Sequence, residues 1–153
     1  MEKFISVLKI IPSTTADGEG FRTSIYFAGC SHHCRGCHNP QAWKKKNGTM
    51  MSIEEIMAHI LPNEFENVTF SGGDPLYQVE AITRLAIQIK VQTVKTIWCY
   101  SGYTYEQILA SPRLSMILPH IDVLVDGPFL LEKKTNQIPF VGSSNQRVIM
   151  LTK

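Results

Sequence analysis

Three of the four cysteines in this sequence, Cys30, Cys34 and Cys37, lie within eight positions and are separated by three and two residues. Polar and basic residues interleave them, so the group would make a poor hydrophobic core. Cysteine thiolates are ligands for metals and iron–sulfur clusters. The fourth cysteine, Cys99, lies far along the chain in the apolar run TIWCYSG, which favours a buried structural thiol.

Three kinds of site fit this spacing. A Cys3His zinc site would take a histidine from His32, His33 or His38, but the usual second pair of ligands is missing farther along the chain. CRGCH at 34–38 matches a haem-attachment pattern, which normally requires export. A [4Fe–4S] cluster normally takes four thiolates, so three would leave one iron open to a substrate. We favour the cluster, because the missing fourth thiol then has a chemical purpose.

A second ligand-binding candidate is the sequence VTFSGGDPL at 68–76. As local structure it predicts a strand followed by a helix, with Asp74 as N-cap and Pro75 at the first helical position. As chemistry, Gly72 and Gly73 let a ligand approach the backbone closely, and the Asp74 carboxylate can accept a hydrogen bond from an ammonium group. The two interpretations are compatible.

Alternating strands and helices must position these motifs. Six β-rich runs are predicted as strands, at residues 4–11, 23–29, 67–73, 96–102, 121–127 and 146–151. Helices are predicted to begin at the capping box of Ser52 with Glu55, after Asp74 and Pro75, at Thr104, and at Ser111 with Pro112.

This alternation is typical of a parallel α/β sheet. A closed eight-fold barrel usually needs about 250 residues, whereas this chain has 153. We therefore expect one domain over residues 1–153, an open or partial β/α barrel with a mostly parallel sheet. Ligands bind such sheets at the carboxyl ends of the strands, where Cys30 and the turn of residues 72–74 are expected.

Composition and charge argue against a disordered chain and against a nucleic-acid-binding or membrane protein. The chain is 44% hydrophobic, which indicates a globular protein, and its net charge of +2 is too small to indicate a nucleic-acid or membrane partner. The lysines at 44–46 are expected in a solvated loop. We see no apolar run long enough to cross a bilayer and no signal-peptide pattern, so we expect a cytoplasmic protein with reduced thiols.

The pattern C-x3-C-x2-C after one strand, with Gly-Gly-acidic after a later strand, resembles the radical S-adenosylmethionine enzymes. The resemblance implies a radical S-adenosylmethionine barrel with one [4Fe–4S] cluster on Cys30, Cys34 and Cys37. It also implies S-adenosylmethionine as cofactor, bound to the open iron and cleaved reductively to a 5′-deoxyadenosyl radical.

The same resemblance implies the cofactor contacts. Gly72, Gly73 and Asp74 would bind the amino group of S-adenosylmethionine, and the backbone beside the third cysteine would contact its adenine, at Gly36, Cys37 and His38. We expect His32 and His33 to shield the cluster or to face solvent.

Further segments indicate which branch of this family the chain resembles. DGEGFR at 17–22, Gly36, VLVDGPF at 123–129 and GSSNQ at 142–146 occur in the order seen in the anaerobic ribonucleoside-triphosphate reductase activating proteins, a branch of the glycyl-radical-enzyme activases. The family's activity would be to generate a glycyl radical on the anaerobic reductase. A low-potential electron donor such as flavodoxin or ferredoxin would be a second partner.

Two alternatives remain open. Activation of another glycyl radical enzyme, such as pyruvate formate-lyase, also suits CHN at 37–39, although the short chain, Gly36 and GSSNQ favour the reductase. A ferredoxin-like carrier would need a fourth cluster ligand, and neither a carrier nor a zinc-stabilised module would need SGGDP. The short chain leaves few residues for a lid, which favours a macromolecular substrate that covers the site itself.

Overall fold

The structure, a computed structural model, describes residues 4–32, 34–37 and 40–151. Its strands are β1 (Phe4–Thr14), β2 (Arg22–Phe27), β3 (Thr49–Ser52), β4 (Asn67–Gly72), β5 (Ile97–Tyr100), β6 (Val123–Asp126) and β7 (Arg147–Met150). Its α-helices are α1 (Ile53–Ile60), α2 (Val79–Gln92) and α3 (Tyr105–Leu109). Short 3-10 helices cover Pro40–Trp43, Lys45–Asn47, Pro75–Gln78, Leu114–His120 and Leu131–Lys133.

The strands form one open sheet in the order β3-β1-β2-β4-β5-β6-β7. Each of the six predicted strand runs overlaps one of these strands, so the prediction of an open α/β sheet is confirmed. Strand β3, which pairs with β1, was not predicted. Its sequence TMMS is too short to show the two-residue alternation that marks a half-buried strand.

The prediction of a mostly parallel sheet is wrong, because the sheet is mixed. Strands β2, β4, β5 and β6 pair in parallel, whereas β1 with β2, β1 with β3, and β6 with β7 pair antiparallel. A parallel connection needs a crossover of a dozen or more residues, usually a helix. Residues 15–21 are too few for a crossover, and residues 127–146 contain only the short 3-10 helix Leu131–Lys133, so both connections return antiparallel.

The helices cover one face of the sheet. Helix α1 begins at the predicted capping box of Ser52 with Glu55, and α3 begins at a second one, of Thr104 with Gln107. The predicted fourth helix is instead the 3-10 segment Leu114–His120, which contains Pro119, a residue without the backbone N–H that an α-helix needs.

In the described part of the chain, no helix has both the length and the apolar character to span a membrane.

The core lies between these helices and the sheet. Buried side chains that meet there come from both layers: Ile25, Phe27, Phe70, Cys99 and Leu124 from the strands, and Ile56, Ile60, Ile82, Leu85 and Ile89 from the helices. Cys99 is fully buried in this core, as predicted, and burial raises the pKa of its thiol well above the usual value. The opposite face of the sheet therefore carries the alternate residues of β2, β4 and β5.

Arg22 fastens the loop of residues 15–21 over that opposite face. Its guanidinium is almost fully buried and donates hydrogen bonds to Thr69 Oγ1 and to the carbonyls of Glu19, Val68 and Thr96. Burial lowers the pKa of Arg22 to about 10, which still leaves it charged near neutral pH. Since Thr69 Oγ1 donates in turn to the Asp17 carbonyl, the arginine holds this loop over the first half of β4.

Candidate functional site

One cavity of about 330 Å³ opens at the carboxyl ends of the parallel strands. That volume is at the lower end of the range for small-molecule sites, roughly 300–1,000 Å³. Its lining includes all three clustered cysteines and both glycines of the second motif, namely Cys30, Cys34, Cys37, Gly72 and Gly73. The structure therefore brings together two motifs that lie about 40 positions apart in the sequence.

The cysteine segment, residues 30–37, leaves β2 through Gly29. That glycine has φ of +104°, and a Cβ there would lie 2.5 Å from the ring of Tyr77. The Cys30 N–H donates to the Trp43 carbonyl at 3.1 Å, which attaches the segment to the 3-10 helix that follows it. The start of the segment is thus fixed by the 3-10 helix Pro40–Trp43.

Within the segment, Gly36 permits a tight turn between the second and third cysteines. Its φ is +77°, a conformation that L-residues rarely adopt, and the Cys37 N–H donates to the Cys34 carbonyl at 3.1 Å. A Cβ at Gly36 would lie 2.8 Å from the side chain of Leu131. His33 and His38, which were considered as ligands or adenine contacts, lie outside the described residues.

The donor set fits an iron–sulfur cluster. All four described cysteines are thiols rather than disulfides, and the three of the cysteine segment face one cavity. Among the described residues, no three His, Cys, Asp or Glu side chains converge closely enough for a single metal ion. A cube accepts a wider arrangement, because each thiolate binds a different iron.

The glycine turn, residues 72–74, is held against the end of β2. Gly72 has φ of +107°, and a Cβ there would lie 2.4 Å from the backbone of Phe27, so the packing of two strands already requires a glycine. The Gly73 N–H donates to the Phe27 carbonyl at 3.0 Å, and the Asp74 N–H donates to the Gly29 carbonyl at 2.8 Å. The turn and the start of the cysteine segment therefore share one hydrogen-bonded framework.

Asp74 is the N-cap that the sequence predicts. Its Oδ1 accepts from the Leu76 N–H at 2.9 Å, and its side chain is almost completely buried. Its Oδ2 accepts from the Ser101 hydroxyl at 3.1 Å and from the Gly102 N–H at 3.0 Å. The same Oδ2 lies 2.6 Å from His32 Nε2, so this carboxylate joins several loops at the edge of the cavity.

Comparison with known proteins identifies the family. Residues 16–149 match the family model described as a 4Fe-4S single cluster domain. Over 146 residues the chain is 34% identical to the anaerobic ribonucleoside-triphosphate reductase-activating protein of Enterobacteria phage T4, which covers 92% of this chain and 90% of that protein. The chain belongs to this family of activating proteins.

Two bacterial relatives with the same name show similar agreement. The Haemophilus influenzae protein is 31% identical over 152 residues, covering 93% of this chain and 96% of its own length. The Escherichia coli K12 protein is 31% identical over 145 residues, covering 90% and 93%. The predicted resemblance to the reductase-activating family is thus confirmed over almost the whole chain.

The GSSNQ segment of this family member closes one side of the cavity. The amide oxygen of Gln146 accepts from the backbone N–H groups of Gly142 and Ser143, and its amide nitrogen donates to the Gly127 carbonyl at 3.0 Å. Asn145 donates to the Pro128 carbonyl at 2.8 Å. The two family segments at 123–129 and 142–146 therefore pack together as one wall.

Sequence reasoning missed two polar side chains that line the cavity. Tyr26 and Tyr100 line the cavity, and the Tyr26 hydroxyl donates to the Asp17 carboxylate. Burial raises the pKa of both tyrosines, with Asp17 adding to the effect, so both are neutral phenols near neutral pH. The alternation of β2 and β5 could have placed them on one face, opposite Phe27 and Cys99.

Proposed function

We propose that this chain is a radical S-adenosylmethionine activating enzyme that generates a glycyl radical on anaerobic ribonucleoside-triphosphate reductase. The observation that carries this proposal is the single cavity lined by both the three clustered cysteines and the glycine turn. The relatives are named as activating proteins of that reductase. Membership in their family supports the same partner for this chain.

The fold suits this class of enzyme. Four parallel strands, β2, β4, β5 and β6, form the centre of the sheet, and the cavity lies at their carboxyl ends. We propose that they correspond to a partial radical S-adenosylmethionine barrel, which is flanked on both sides by antiparallel strands. The described residues from 4 to 151 contribute to one sheet, which supports a single domain.

Cys30, Cys34 and Cys37 would hold one [4Fe–4S] cluster, each thiolate on its own iron. When bound, the cluster and S-adenosylmethionine would supply a 5′-deoxyadenosyl radical by one-electron cleavage of the sulfonium, and this radical would take a hydrogen atom from the reductase glycine. Reduced flavodoxin or ferredoxin would supply the electron in an anaerobic cytoplasm.

The chain's own residues would bind and orient the cofactor. The backbone of the glycine turn can approach the methionine end of S-adenosylmethionine closely, since neither Gly72 nor Gly73 has a side chain. Asp74 is the last residue of this turn, and Gly36 lies beside the third cysteine, where we propose that the adenine binds. Tyr100, as a neutral phenol, can donate a hydrogen bond to the cofactor without adding charge, whereas the Tyr26 hydroxyl already donates to Asp17 and can only accept one.

The open side of the cavity suits a macromolecular substrate. Among the described residues, one wall of the cavity consists of short loops, 127–129 and 142–146, rather than a lid or a second domain. A glycine-bearing loop could enter there, because glycine has no side chain to block its approach. Its Cα radical would be delocalised over the two flanking amides.

The test is an anaerobic reaction with reduced protein, S-adenosylmethionine and reductase carrying deuterium at the glycine Cα. We expect deuterium in 5′-deoxyadenosine and a radical signal on the reductase in electron paramagnetic resonance. A parallel reaction with pyruvate formate-lyase distinguishes the two kinds of activase. Label transfer from a free small molecule, without any protein radical, would instead indicate a small-molecule radical enzyme.

A further inference from the structure

His32 lies between the first two cysteines of the cysteine segment, but its side chain reaches across to the glycine turn. Its Nε2 is 2.6 Å from Asp74 Oδ2, and the side chains of His32 and Asp74 are 17% and 1% exposed. A hydrogen bond to a carboxylate so well shielded from water is stronger than one between neutral groups. The two motifs that the proposed function brings to one cavity are therefore joined directly, side chain to side chain.

Asp74 Oδ2 also ties a third loop to this junction. It accepts from the Gly102 N–H at 3.0 Å and from the Ser101 hydroxyl at 3.1 Å, both of which follow β5. Segments that follow β2, β4 and β5 thus meet at one oxygen atom. Since three donors already converge on it, this oxygen has little capacity left for a ligand, whereas the backbone of the glycine turn lines the cavity.

Packing holds the imidazole ring in one place. A Cβ at Gly102 would lie 2.5 Å from the Cδ2 atom of His32, so the ring occupies space that only glycine leaves open. On another side the ring meets Tyr103 edge to face, with centroids 4.5 Å apart and an interplanar angle of 73°. The ring is thereby oriented with Nε2 toward Asp74, and this orientation turns that nitrogen toward the carboxylate instead of a metal.

We propose that His32 is a positioning residue that sets the cysteine segment, and with it the cluster, at a defined distance from the glycine turn that binds S-adenosylmethionine. Asp74 acts through this link and through its backbone cap, without contacting the cofactor ammonium. The inference rests on the proposed function. The physical reason is that one ligand can bind both the open iron and the glycine turn only if these two sites are held at the correct distance. Small misplacements weaken ligand binding and lower the reaction rate.

The test compares reconstituted holoproteins in which the N–H donor at position 32 is removed or replaced. His32→Phe and His32→Leu remove the donor, His32→Gln supplies an amide N–H, and Tyr103→Phe is the matched control that keeps the ring contact. Three properties are measured: iron and sulfide content, the dissociation constant of S-adenosylmethionine, and the change in the electron paramagnetic resonance spectrum of the reduced cluster when S-adenosylmethionine is added.

We expect His32→Phe or His32→Leu to retain iron while binding S-adenosylmethionine about tenfold more weakly and losing most of the spectral change. His32→Gln should recover most of both properties, and Tyr103→Phe should bind within about twofold of the wild type. Normal binding and a normal spectral change in an iron-replete His32→Phe or His32→Leu protein would overturn the proposal. Loss of iron from both would also overturn it, since His32 would then be needed to hold the cluster itself.

A double-mutant cycle with Asp74→Asn tests the second half of the proposal. If Asp74 acts through His32, adding Asp74→Asn to His32→Leu should weaken binding by less than the product of the separate effects. Fully multiplicative effects would overturn that half, since they indicate a separate contact with the cofactor. The wild-type protein distinguishes failure of the proposed function from failure of this inference. If S-adenosylmethionine causes no spectral change in the wild type, the proposed function is refuted. If the wild type responds and the His32 variants respond equally, only this inference is refuted.

Discussion

Arg147 binds both carboxylate oxygens of Asp126 across the antiparallel pair of β6 and β7, through Nε at 3.1 Å and Nη2 at 2.5 Å. Asp126 is almost completely buried and also accepts from the Tyr105 N–H at 2.7 Å. These hydrogen bonds, together with those to Glu106, raise the pKa of Arg147 above its ordinary value. Asp126 therefore connects the last strand to the start of α3.

Asp126→Ala should lower the free energy of unfolding by about 1–3 kcal/mol, because it leaves the partly buried N–H donors of Tyr105 and Arg147 without their acceptor. Chemical denaturation measures this change. Glu106→Ala is the matched control, since Glu106 binds the same guanidinium from an exposed position, and it should leave the denaturation midpoint nearly unchanged. Equal losses in the two variants would mean that the buried position of Asp126 is unimportant.

Gly72→Ala should destabilise the protein more than Gly20→Ala. Both glycines have positive φ, which costs an L-residue about 1–2 kcal/mol. Only at Gly72 would the added Cβ also overlap a backbone, that of Phe27 at 2.4 Å, whereas nothing lies within 4 Å at Gly20. Denaturation midpoints of the two variants, measured side by side, test this difference. A Gly72→Ala protein as stable as Gly20→Ala would indicate that β2 and β4 can separate there without cost.

Serine substitutions should separate the cluster ligands from the structural cysteine. Cys30→Ser, Cys34→Ser and Cys37→Ser should each lower the iron content after anaerobic reconstitution and abolish reductase activation. Cys99→Ser is the control, because Cys99 is buried on the helix-covered face of the sheet, away from the cavity. Loss of the cluster in Cys99→Ser, with one of the other three dispensable, would refute the ligand assignment.

Gly73→Val should weaken binding of S-adenosylmethionine while the cluster remains, since the added side chain would enter the cavity lining beside the ligand. Calorimetry measures binding, and the visible absorption of the cluster shows that the site is otherwise intact. Gly20→Val supplies the control for adding a valine to a surface loop. Unchanged binding by Gly73→Val would leave the glycine turn with a structural role only.

Local patterns predicted most of the fold, because strand alternation, capping boxes and turn residues act over short distances. The same locality explains the errors. The direction of β1 and β7 depends on what the connections at 15–21 and 127–146 can span, and β3 depends on an edge that β1 offers. Neither property is visible in a single run of residues.

The candidate site likewise has a part that the sequence predicts and a part that only the fold creates. Cys30, Cys34, Cys37, Gly72 and Gly73 stand in recognisable spacings, and the cavity contains all five. The contact of His32 with Asp74 joins residues 42 positions apart, and no spacing rule predicts it. Tyr26 and Tyr100 could be assigned to a face of the sheet but not to a cavity, since only the folded sheet places the loop of residues 15–21 beside Tyr26.

The cavity lining extends from Asp17 near one end of the described chain to Gln146 near the other. During synthesis, a nascent chain that has emerged as far as Tyr103 already carries all three clustered thiols but lacks the wall formed by residues 127–146. We therefore expect those thiols to be accessible to oxidants and stray metal ions until the last strand pairs with β6 and that wall forms. If they hold the proposed cluster, its delivery should follow chain release, and maturation should depend on keeping three neighbouring thiols reduced during translation and folding.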